Sequence, residues 1–168
     1  MARVEFQDFS FQVKAALNDT TIAWLYETAE EIKSQAQRKC ALDGDAGKQL
    51  KGSYDRNVDE DKGEAQIGSP LEQAFWEEYG TGEHAKGPEP GRKGWWIYIE
   101  GQASGNGGKS YSTKEEAEEM AAYIREKYDK KAVVTNGRDP NYTLQKAFEA
   151  TKNKAQSRLA AMLKEGME

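Results

Sequence analysis

The chain has 168 residues, of which 37% are hydrophobic and 32% charged, and its formal net charge is −5. This is the length of one ordinary domain, and four tryptophans, eight tyrosines and five phenylalanines can supply a core, which argues against wholesale disorder. No run of about 20 apolar residues could span a bilayer, the first residues lack the pattern of a signal peptide, and no basic stripe suits a phosphate backbone. We therefore expect one domain, residues 1–168, that stays in the cytoplasm where it is made, avoids membranes and binds no nucleic acid sequence-specifically.

The first predicted element is a long amphipathic helix over residues 11–40, because apolar residues recur at spacings close to 3.6 with charged residues between them. The apolar positions are Val13, Leu17, Trp24, Leu25, Ile32 and Ala36. Residues 18–21 can cap a new helical start, so one helix, or a short helix followed by a longer one, both remain open. The glycines and aspartates of residues 43–47 predict a turn that cannot sustain a helix.

A β-hairpin is predicted next, with strands at residues 53–58 and 64–68 and a polar turn at residues 59–63. A short helix at residues 71–79 follows, and Gly80-Thr81-Gly82 stops it. Residues 83–94 contain two prolines, three glycines and several charges, which is the composition of an exposed loop.

The strongest strand prediction covers residues 95–99, which are aromatic or β-branched. A short strand through Tyr111 is expected to pair back on it after a glycine-rich loop. Residues 113–116 have the spacing of a capping box and open a helix. Its predicted inner face consists of Ala117, Met120, Ala121, Ile124 and Tyr128. Residues 132–134 predict one more strand.

The last predicted elements are a turn at residues 136–140 and a second long amphipathic helix, whose apolar positions alternate steps of three and four from Leu144 to Met162. The order of elements predicts an α+β fold: a long N-terminal helix, a small antiparallel β-sheet with an inserted helix, and a long C-terminal helix, with both long helices laid against the sheet. The insertion falls at about residues 101–135.

Residues 103–110 approach a phosphate-binding P-loop, in which glycine amides wrap a phosphate and a lysine reaches its outer charges. Ala103 replaces the first glycine of that motif, and a short extended segment rather than a helix follows Lys109. We interpret the segment as a flexible hairpin tip and expect no nucleotide to bind there.

No catalytic or metal-binding assembly is visible. The only histidine, His84, could act as a general base beside Glu83, Glu78 or Glu77, but it lies in the Gly/Pro loop. No serine lies in a nucleophile-elbow sequence. The only cysteine, Cys40, ends an apolar stripe and is expected to be buried. One cysteine and one histidine exclude both an internal disulfide and a structural zinc site. We expect no catalytic residue, no metal and no cofactor.

Four aromatic residues, Trp76, Tyr79, Trp95 and Trp96, fall around the predicted loop and central strand. Because Trp and Tyr are enriched at protein interfaces, self-association or partner docking is one interpretation, and ordinary core packing is the other. The candidate interface residues are Trp76, Trp95 and Trp96.

Three segments resemble the phage tail-completion, or head-to-tail joining, family of tailed bacteriophages and prophages, whose members are also described as minor capsid or neck proteins. The segments are GKQLKGSY at 47–54, IGSP at 67–70 and QAFWEEYGTG at 73–82. In that family a long N-terminal helix precedes a strand that opens on glycine, leucine and serine, then an Ala-x-x-x-Glu-aromatic-Gly-Thr turn, and finally a C-terminal helix. Residues 144–148 look like the start of that last helix, so the resemblance covers roughly residues 12–164. Its most specific part is the turn, with motif residues Ala74, Glu78, Tyr79, Gly80, Thr81 and Gly82.

The resemblance implies a non-enzymatic virion structural protein that forms a homo-oligomeric ring, a hexamer in the virion, between the portal-adaptor stack and the tail tube. It implies other phage neck and tail proteins as partners, the neck or tail end of the virion as location, and the bacterial host cytoplasm before assembly. It implies no cofactor and no catalytic residue. The chain departs from the family at residues 111–134, where an inserted helix and strand are predicted, so partner contacts on that side do not carry over.

Two other functions remain open from the sequence. A small adaptor or inhibitor encoded by a mobile element could bind a host protein through the Trp-rich strand, as a monomer or a dimer. A nucleotide-handling enzyme would rest on Lys109 alone. The stoichiometry of the native assembly separates the adaptor from a ring subunit.

Overall fold

The structure is a computed structural model, and it describes residues 19–88, 90–99 and 108–165. The helices are α1 (Asp19–Lys39), α2 (Gly44–Ser53), α3 (Glu72–Tyr79), α4 (Lys114–Tyr128) and α5 (Thr143–Glu165). The strands are β1 (Asp55–Asp59), β2 (Glu64–Gly68), β3 (Thr81–Gly82), β4 (Trp96–Ile99), β5 (Ala132–Thr135) and β6 (Gly137–Arg138). The predicted α+β class, with long helices at both ends and small antiparallel sheets between them, is confirmed.

The chain divides into two compact units. Unit 1 comprises Met1–Glu78 and Asn141–Glu168, and unit 2 comprises Tyr79–Pro140. Unit 2 therefore interrupts unit 1 in sequence and is wider than the insertion at about 101–135 that the sequence predicts. The assignment of residues 1–168 to one joining domain stays a prediction.

The core of unit 1 forms where α1 packs on α5 and on the β1–β2 hairpin. The fully or nearly fully buried apolar residues of this core include Trp24, Leu25, Ile32, Ala36, Cys40, Leu50, Tyr54, Ile67, Ala147 and Ala155. The indole Nε1 of Trp24 donates a buried 2.8 Å hydrogen bond to the carbonyl oxygen of Ala155, which joins the two long helices. Burial of Cys40 is confirmed, whereas the part of the predicted first helix at residues 11–18 lies outside the described residues.

Residues 44–53 form α2, so the prediction that residues 43–47 cannot sustain a helix is wrong. Leu50 is completely buried in the unit 1 core. A Cβ on Gly47 would lie 2.0 Å from the carbonyl oxygen of Leu42, so glycine permits the close approach of the two backbones. Burial of Leu50 and this close packing outweigh the roughly 1 kcal/mol that glycine costs relative to alanine in a helix.

The predicted hairpin of unit 1 is confirmed, with β1 and β2 antiparallel from Asp55 opposite Gly68 to Asp59 opposite Glu64. Ala65 and Ile67 point into the core while Gln66 between them is exposed, as the period of two requires. The other strands pair separately, because β3 pairs with β6 and β4 with β5. The described residues thus form three two-stranded sheets rather than one.

Unit 2 is built on the antiparallel pair β4–β5, with Ile97 opposite Val134 and Ile99 opposite Ala132. Helix α4 packs on this pair, and Thr113 caps the helix as predicted by accepting a hydrogen bond from the Glu116 amide at 3.3 Å.

Part of the predicted inner face of α4 is wrong. Ala117 and Ala121 are completely buried, but Met120 is 38% exposed and Tyr128 is 55% exposed. A sheet of two short strands is too narrow to cover a wide helix face, so a stripe of small residues makes the contact. Among the described residues, no helix is both long and apolar enough to cross a membrane.

Candidate functional site

The residues that carry the family resemblance form the end of α3 and the turn after it; residues 74–82 are called the motif segment below. Ala74 is 6% exposed and belongs to the unit 1 core. The chain passes from unit 1 to unit 2 between Glu78 and Tyr79, and it returns between Pro140 and Asn141. The motif segment therefore spans one of the two chain crossings.

Glu78 caps the N-terminus of α5 from a position 66 residues earlier in the chain. Its Oε2 accepts a hydrogen bond from the Leu144 amide at 2.7 Å, and its Oε1 accepts one from the Gln145 amide at 3.2 Å. The first amides of a helix have no partner within the helix, and the helix dipole favours a negative charge there. The backbone reinforces the contact, since the Tyr142 amide donates to the Glu78 carbonyl oxygen at 3.3 Å.

Glu77 ties three segments of unit 1 together. Its Oε1 accepts hydrogen bonds from the Ala41 amide at 2.6 Å and from Asn141 Nδ2 at 2.9 Å. Asn141 Nδ2 also lies 2.8 Å from the carbonyl oxygen of Lys39, the last residue of α1. The end of α1, the end of α3 and the start of α5 are thus joined through one carboxylate and one amide.

Both carboxylates are almost completely buried, Glu77 at 1% and Glu78 at 3% exposure. Burial raises the pKa of the Glu78 carboxyl, although the amides of Leu144 and Gln145 act in the opposite direction. Burial is also the main cause that raises the pKa of Tyr54, with the negative charges of nearby groups adding to it. The motif segment therefore places two buried carboxyl groups inside unit 1.

The second half of the motif segment is a turn in which glycine is required. Gly80 has φ +76°, and a Cβ there would lie 2.5 Å from the carbonyl oxygen of Arg138. Gly82 has φ +60°, and its Cβ would lie 2.1 Å from the carbonyl oxygen of Asn136. Between them, Thr81 Oγ1 accepts a hydrogen bond from the Arg138 amide at 3.0 Å. A side chain at either glycine would be strained by the backbone angle and blocked by a neighbouring backbone.

Within unit 2 the structure brings Trp96 onto the motif turn. A Cβ on Gly82 would lie 2.5 Å from Trp96 Cη2, so the indole covers this glycine. The Arg92 guanidinium lies 4.9 Å from the centre of the Trp96 ring. Gly91, in the predicted loop of residues 83–94, approaches the carbonyl oxygen of Gly82 so closely that a Cβ would lie 1.8 Å from it. The loop is thus exposed at Pro88 and Pro90, as predicted, but at Gly91 it packs on the motif turn.

The other candidate interface residues occupy different places. Trp95 is half-buried and forms a β-bridge with Tyr111, which confirms the predicted pairing of that short strand at one position. Trp76 lies on α3 in unit 1 and is half-buried. The three tryptophans therefore divide between the two units, and their part in an interface stays a prediction.

His84 is paired with Asp139, a carboxylate that the sequence did not suggest. Its Nδ1 lies 2.8 Å from Asp139 Oδ1, and its Nε2 lies 3.3 Å from Asn136 Oδ1. Both ring nitrogens face acceptors on the 136–139 turn, so the imidazole fastens the start of the loop to that turn.

Other residues in and near the P-loop-like segment make contacts within unit 2. Lys109 lies 5.0 Å from the centre of the Tyr111 ring, and Ser110 Oγ accepts a 2.8 Å hydrogen bond from Arg92 Nε. Residues 103–107 of the P-loop-like segment lie outside the described residues. Over the described ranges, no group of three or more His, Cys, Asp or Glu side chains is placed to hold a metal ion.

An open depression of about 620 Å³ in unit 1 is lined by α1 together with Arg56 and Arg158. Two of its arginines are paired, since Arg56 Nε lies 2.7 Å from Glu30 and Arg158 lies 3.4 Å from Glu31. The hydrogen bond from Arg56 is the main cause that lowers the pKa of Glu30. Most of the charged residues of this depression on α1 are therefore engaged within unit 1.

Sequence reasoning identified Glu78 through the motif but not the burial of Glu77 and Glu78, because adjacent acidic pairs are frequent in this chain. The sequence holds only a weak indication of this burial: Glu77 and Glu78 lie at the end of a short helix whose preceding turn is apolar, at Ala74, Phe75 and Trp76. Comparison with known protein families, with curated proteins and with solved structures finds no match to this chain.

Proposed function

We propose that the chain is a non-enzymatic virion structural protein that joins the head and tail of a tailed bacteriophage or prophage, as one subunit of a neck or tail-completion ring. The ring would contain six copies in the virion and contact other neck and tail proteins. The protein would reside at the neck or tail end of the particle, after synthesis in the bacterial cytoplasm.

The observation that carries the proposal is that residues of the resembling motif occupy buried or tightly packed positions at the end of α3 and in the turn after it. Four of the six motif positions have a physical requirement: Ala74 is buried, Glu78 caps α5, and Gly80 and Gly82 lack room for a side chain. The residue types at these positions thus meet structural requirements of the end of α3 and of the turn after it. The acidic net charge of −5 also suits a ring through which DNA passes without adhering.

A gene deletion in the source phage or prophage tests this proposal. Without the protein, filled heads and complete tails should accumulate separately, and supplying the wild-type chain should restore joined, infectious particles. Native mass measurement of particles or of the concentrated protein should give a cyclic oligomer. Normal numbers of infectious particles without the gene would contradict the proposal.

One observation favours the second candidate, an adaptor or inhibitor that binds a host protein. Tyr98 and Val133 lie opposite each other in the β4–β5 pair, and each is 45% exposed, so an apolar pair faces outward. An adaptor would purify as a monomer or two-fold dimer in a defined complex with a host protein, and particle assembly would not depend on it. Stoichiometry therefore separates the two functions.

A further inference from the structure

One surface of unit 2 combines aromatic rings with positive charges; it consists of Trp95, Tyr111, Lys109 and Lys114 and is called the cation–aromatic face. Trp95 and Tyr111 exchange both backbone hydrogen bonds, at 2.9 and 2.7 Å, so their side chains lie on the same side of the bridge. Lys109 Nζ lies 5.0 Å from the centre of the Tyr111 ring, and Lys114 Nζ lies 5.7 Å from the centre of the Trp95 ring. Two ammonium groups thus sit over two half-buried rings.

These two ammonium groups lack a counter-ion among the described residues. The ion pairs formed within the described ranges involve other cations and never Lys109 or Lys114. Glu115 and Glu116 follow Lys114 in the first turn of α4, where the helix dipole already favours their charge. Both lysines are exposed, so the face offers positive charge to a partner.

Unit 1 carries a complementary feature, the turn between β1 and β2 at residues 59–64, called the acidic turn. Four of its six residues are Asp or Glu. Its one lysine, Lys62, is paired with Asp59 at 2.5 Å, and Glu60 accepts a 2.7 Å hydrogen bond from the Tyr26 hydroxyl. The carboxylates of Asp61 and Glu64 form no ion pair with a described residue, and Asp61 is exposed.

The net charge of the chain also differs between the sequences of the two units. Residues 79–140 contain ten basic and ten acidic residues, so the entire excess of five acidic residues belongs to the sequence of unit 1. A closed ring needs two different surfaces on every copy that fit each other, because its contacts are heterologous. Complementary charges on separate surfaces steer such an encounter and fix its register.

We infer that the cation–aromatic face of one copy binds the acidic turn of the next copy, with Lys109 and Lys114 opposite Asp61 and Glu64. This inference rests on the proposed function, because it names the contact by which the ring would close. A nucleic acid would compete for the same two ammonium groups. However, the lysines already cover the ring faces on which bases would stack, and two phosphate contacts alone bind weakly.

A charge exchange between the two surfaces tests the inference. The face variant carries Lys109→Glu and Lys114→Glu, and the turn variant carries Asp61→Lys and Glu64→Lys. Each variant alone sets like charges against each other, so assembly should require about a 100-fold higher concentration than the wild type, or fail. An equimolar mixture should assemble again as alternating copies, because each face then meets a turn of opposite charge. A chain with all four changes should assemble by itself.

Assembly is measured by native mass and by the yield of infectious particles when the variants are expressed, singly and together, in cells that lack the gene. If the free wild-type chain is a monomer, native mass cannot compare the variants, and the yield of infectious particles is then the measure of assembly. The matched control carries Lys127→Glu and Lys130→Glu at the other end of α4, where Lys127 also lies 5.0 Å from a tyrosine ring centre, that of Tyr123. Circular dichroism establishes that each variant is folded, and the control should assemble like the wild type.

The inference fails if a single folded variant assembles normally, or if neither the mixture nor the four-fold variant recovers. It also fails if the face variant loses binding to DNA fragments and the turn variant has no effect on assembly, since the occupant is then a nucleic acid. These outcomes leave the proposed function intact as long as particles need the wild-type gene. Particle formation without the gene overturns the proposed function itself.

Discussion

Replacing Glu78 by alanine removes both acceptors of the first amides of α5. In the wild-type chain the carboxylate is 3% exposed and holds the amides of Leu144 and Gln145 at 2.7 and 3.2 Å. A hydrogen bond to a charged group contributes about 1.5–3 kcal/mol, and the loss of a helix cap costs about 0.5–2 kcal/mol. Because alanine also avoids the cost of burying a carboxylate, we expect a net loss of about 3 kcal/mol in the free energy of unfolding.

Thermal unfolding followed by far-ultraviolet circular dichroism measures this loss. In a chain of this length, 1 kcal/mol moves the midpoint by about 2–4 °C, so Glu78→Ala should melt about 6–12 °C below the wild type. Glu72→Ala is the control, because Glu72 is an exposed residue in the first turn of the same helix. That variant should differ from the wild type by less than about 0.5 kcal/mol. If the two variants melt together, Glu78 does not hold the start of α5, and the reasoning is refuted.

Glu78→Gln tests the electrostatic part of the same contact. Burial raises the pKa of Glu78 in the folded chain, so the folded state holds this proton more tightly than the unfolded state. The resulting stability is fully present below the unfolded-state pKa and is lost as the pH rises through the folded-state pKa. Glutamine does not titrate, and the titration of all other groups contributes equally to the stability of both proteins, so it cancels in the difference. The stability of the wild type relative to Glu78→Gln should therefore decrease with rising pH in urea unfolding experiments; a constant or increasing difference would contradict the dominance of burial.

Three further substitutions, at Gly80, Gly52 and Trp24, have predicted effects on stability. Gly80→Val should cost about 2 kcal/mol or more, because φ is +76° and a Cβ would lie 2.5 Å from the Arg138 carbonyl oxygen; an unchanged melting temperature would show that the turn adapts. Gly52→Ala is its control, since nothing lies within 4 Å of that Cβ in α2, and it should stabilise the chain by about 0.5 kcal/mol. Trp24→Phe should cost roughly 1–3 kcal/mol, because it leaves the buried Ala155 carbonyl oxygen without its 2.8 Å donor; equal urea midpoints would count against this hydrogen bond.

Local patterns were sufficient to predict most of the elements. The 3.6-residue period of α1 and α5, the alternation in β1 and β2, and the Thr113 cap each reflect interactions within a few residues of sequence. Helix α2 was missed because its glycines argue against a helix until the burial of Leu50 is known. The outer positions of α4 were misassigned for a similar reason, since the width of the surface beneath a helix is not encoded in the helix.

The candidate site could be located but not understood from the sequence. The motif pointed to Glu78, Gly80 and Gly82, and the need for positive φ at Gly80 follows from helix-stop chemistry. The partners of Glu77 and Glu78, in contrast, lie 36 residues earlier and up to 67 residues later in the chain, and no periodicity links them. Paired acids are common on exposed helix faces, so only tertiary contacts reveal that this pair is buried.

The internal role of the motif determines where its function can be tested. Glu78, Gly80 and Gly82 make contacts within the chain. Substitutions there should therefore destabilise the fold, and any loss of assembly would follow from that. A loss of infectivity from such a variant would not distinguish a ring subunit from any other protein that needs this fold. The surface lysines and the acidic turn are different, because charge reversal there alters complementarity while the cores of both units keep their contacts. Recovery by a second, opposite charge reversal requires that the two surfaces meet, and a defect in folding cannot produce it.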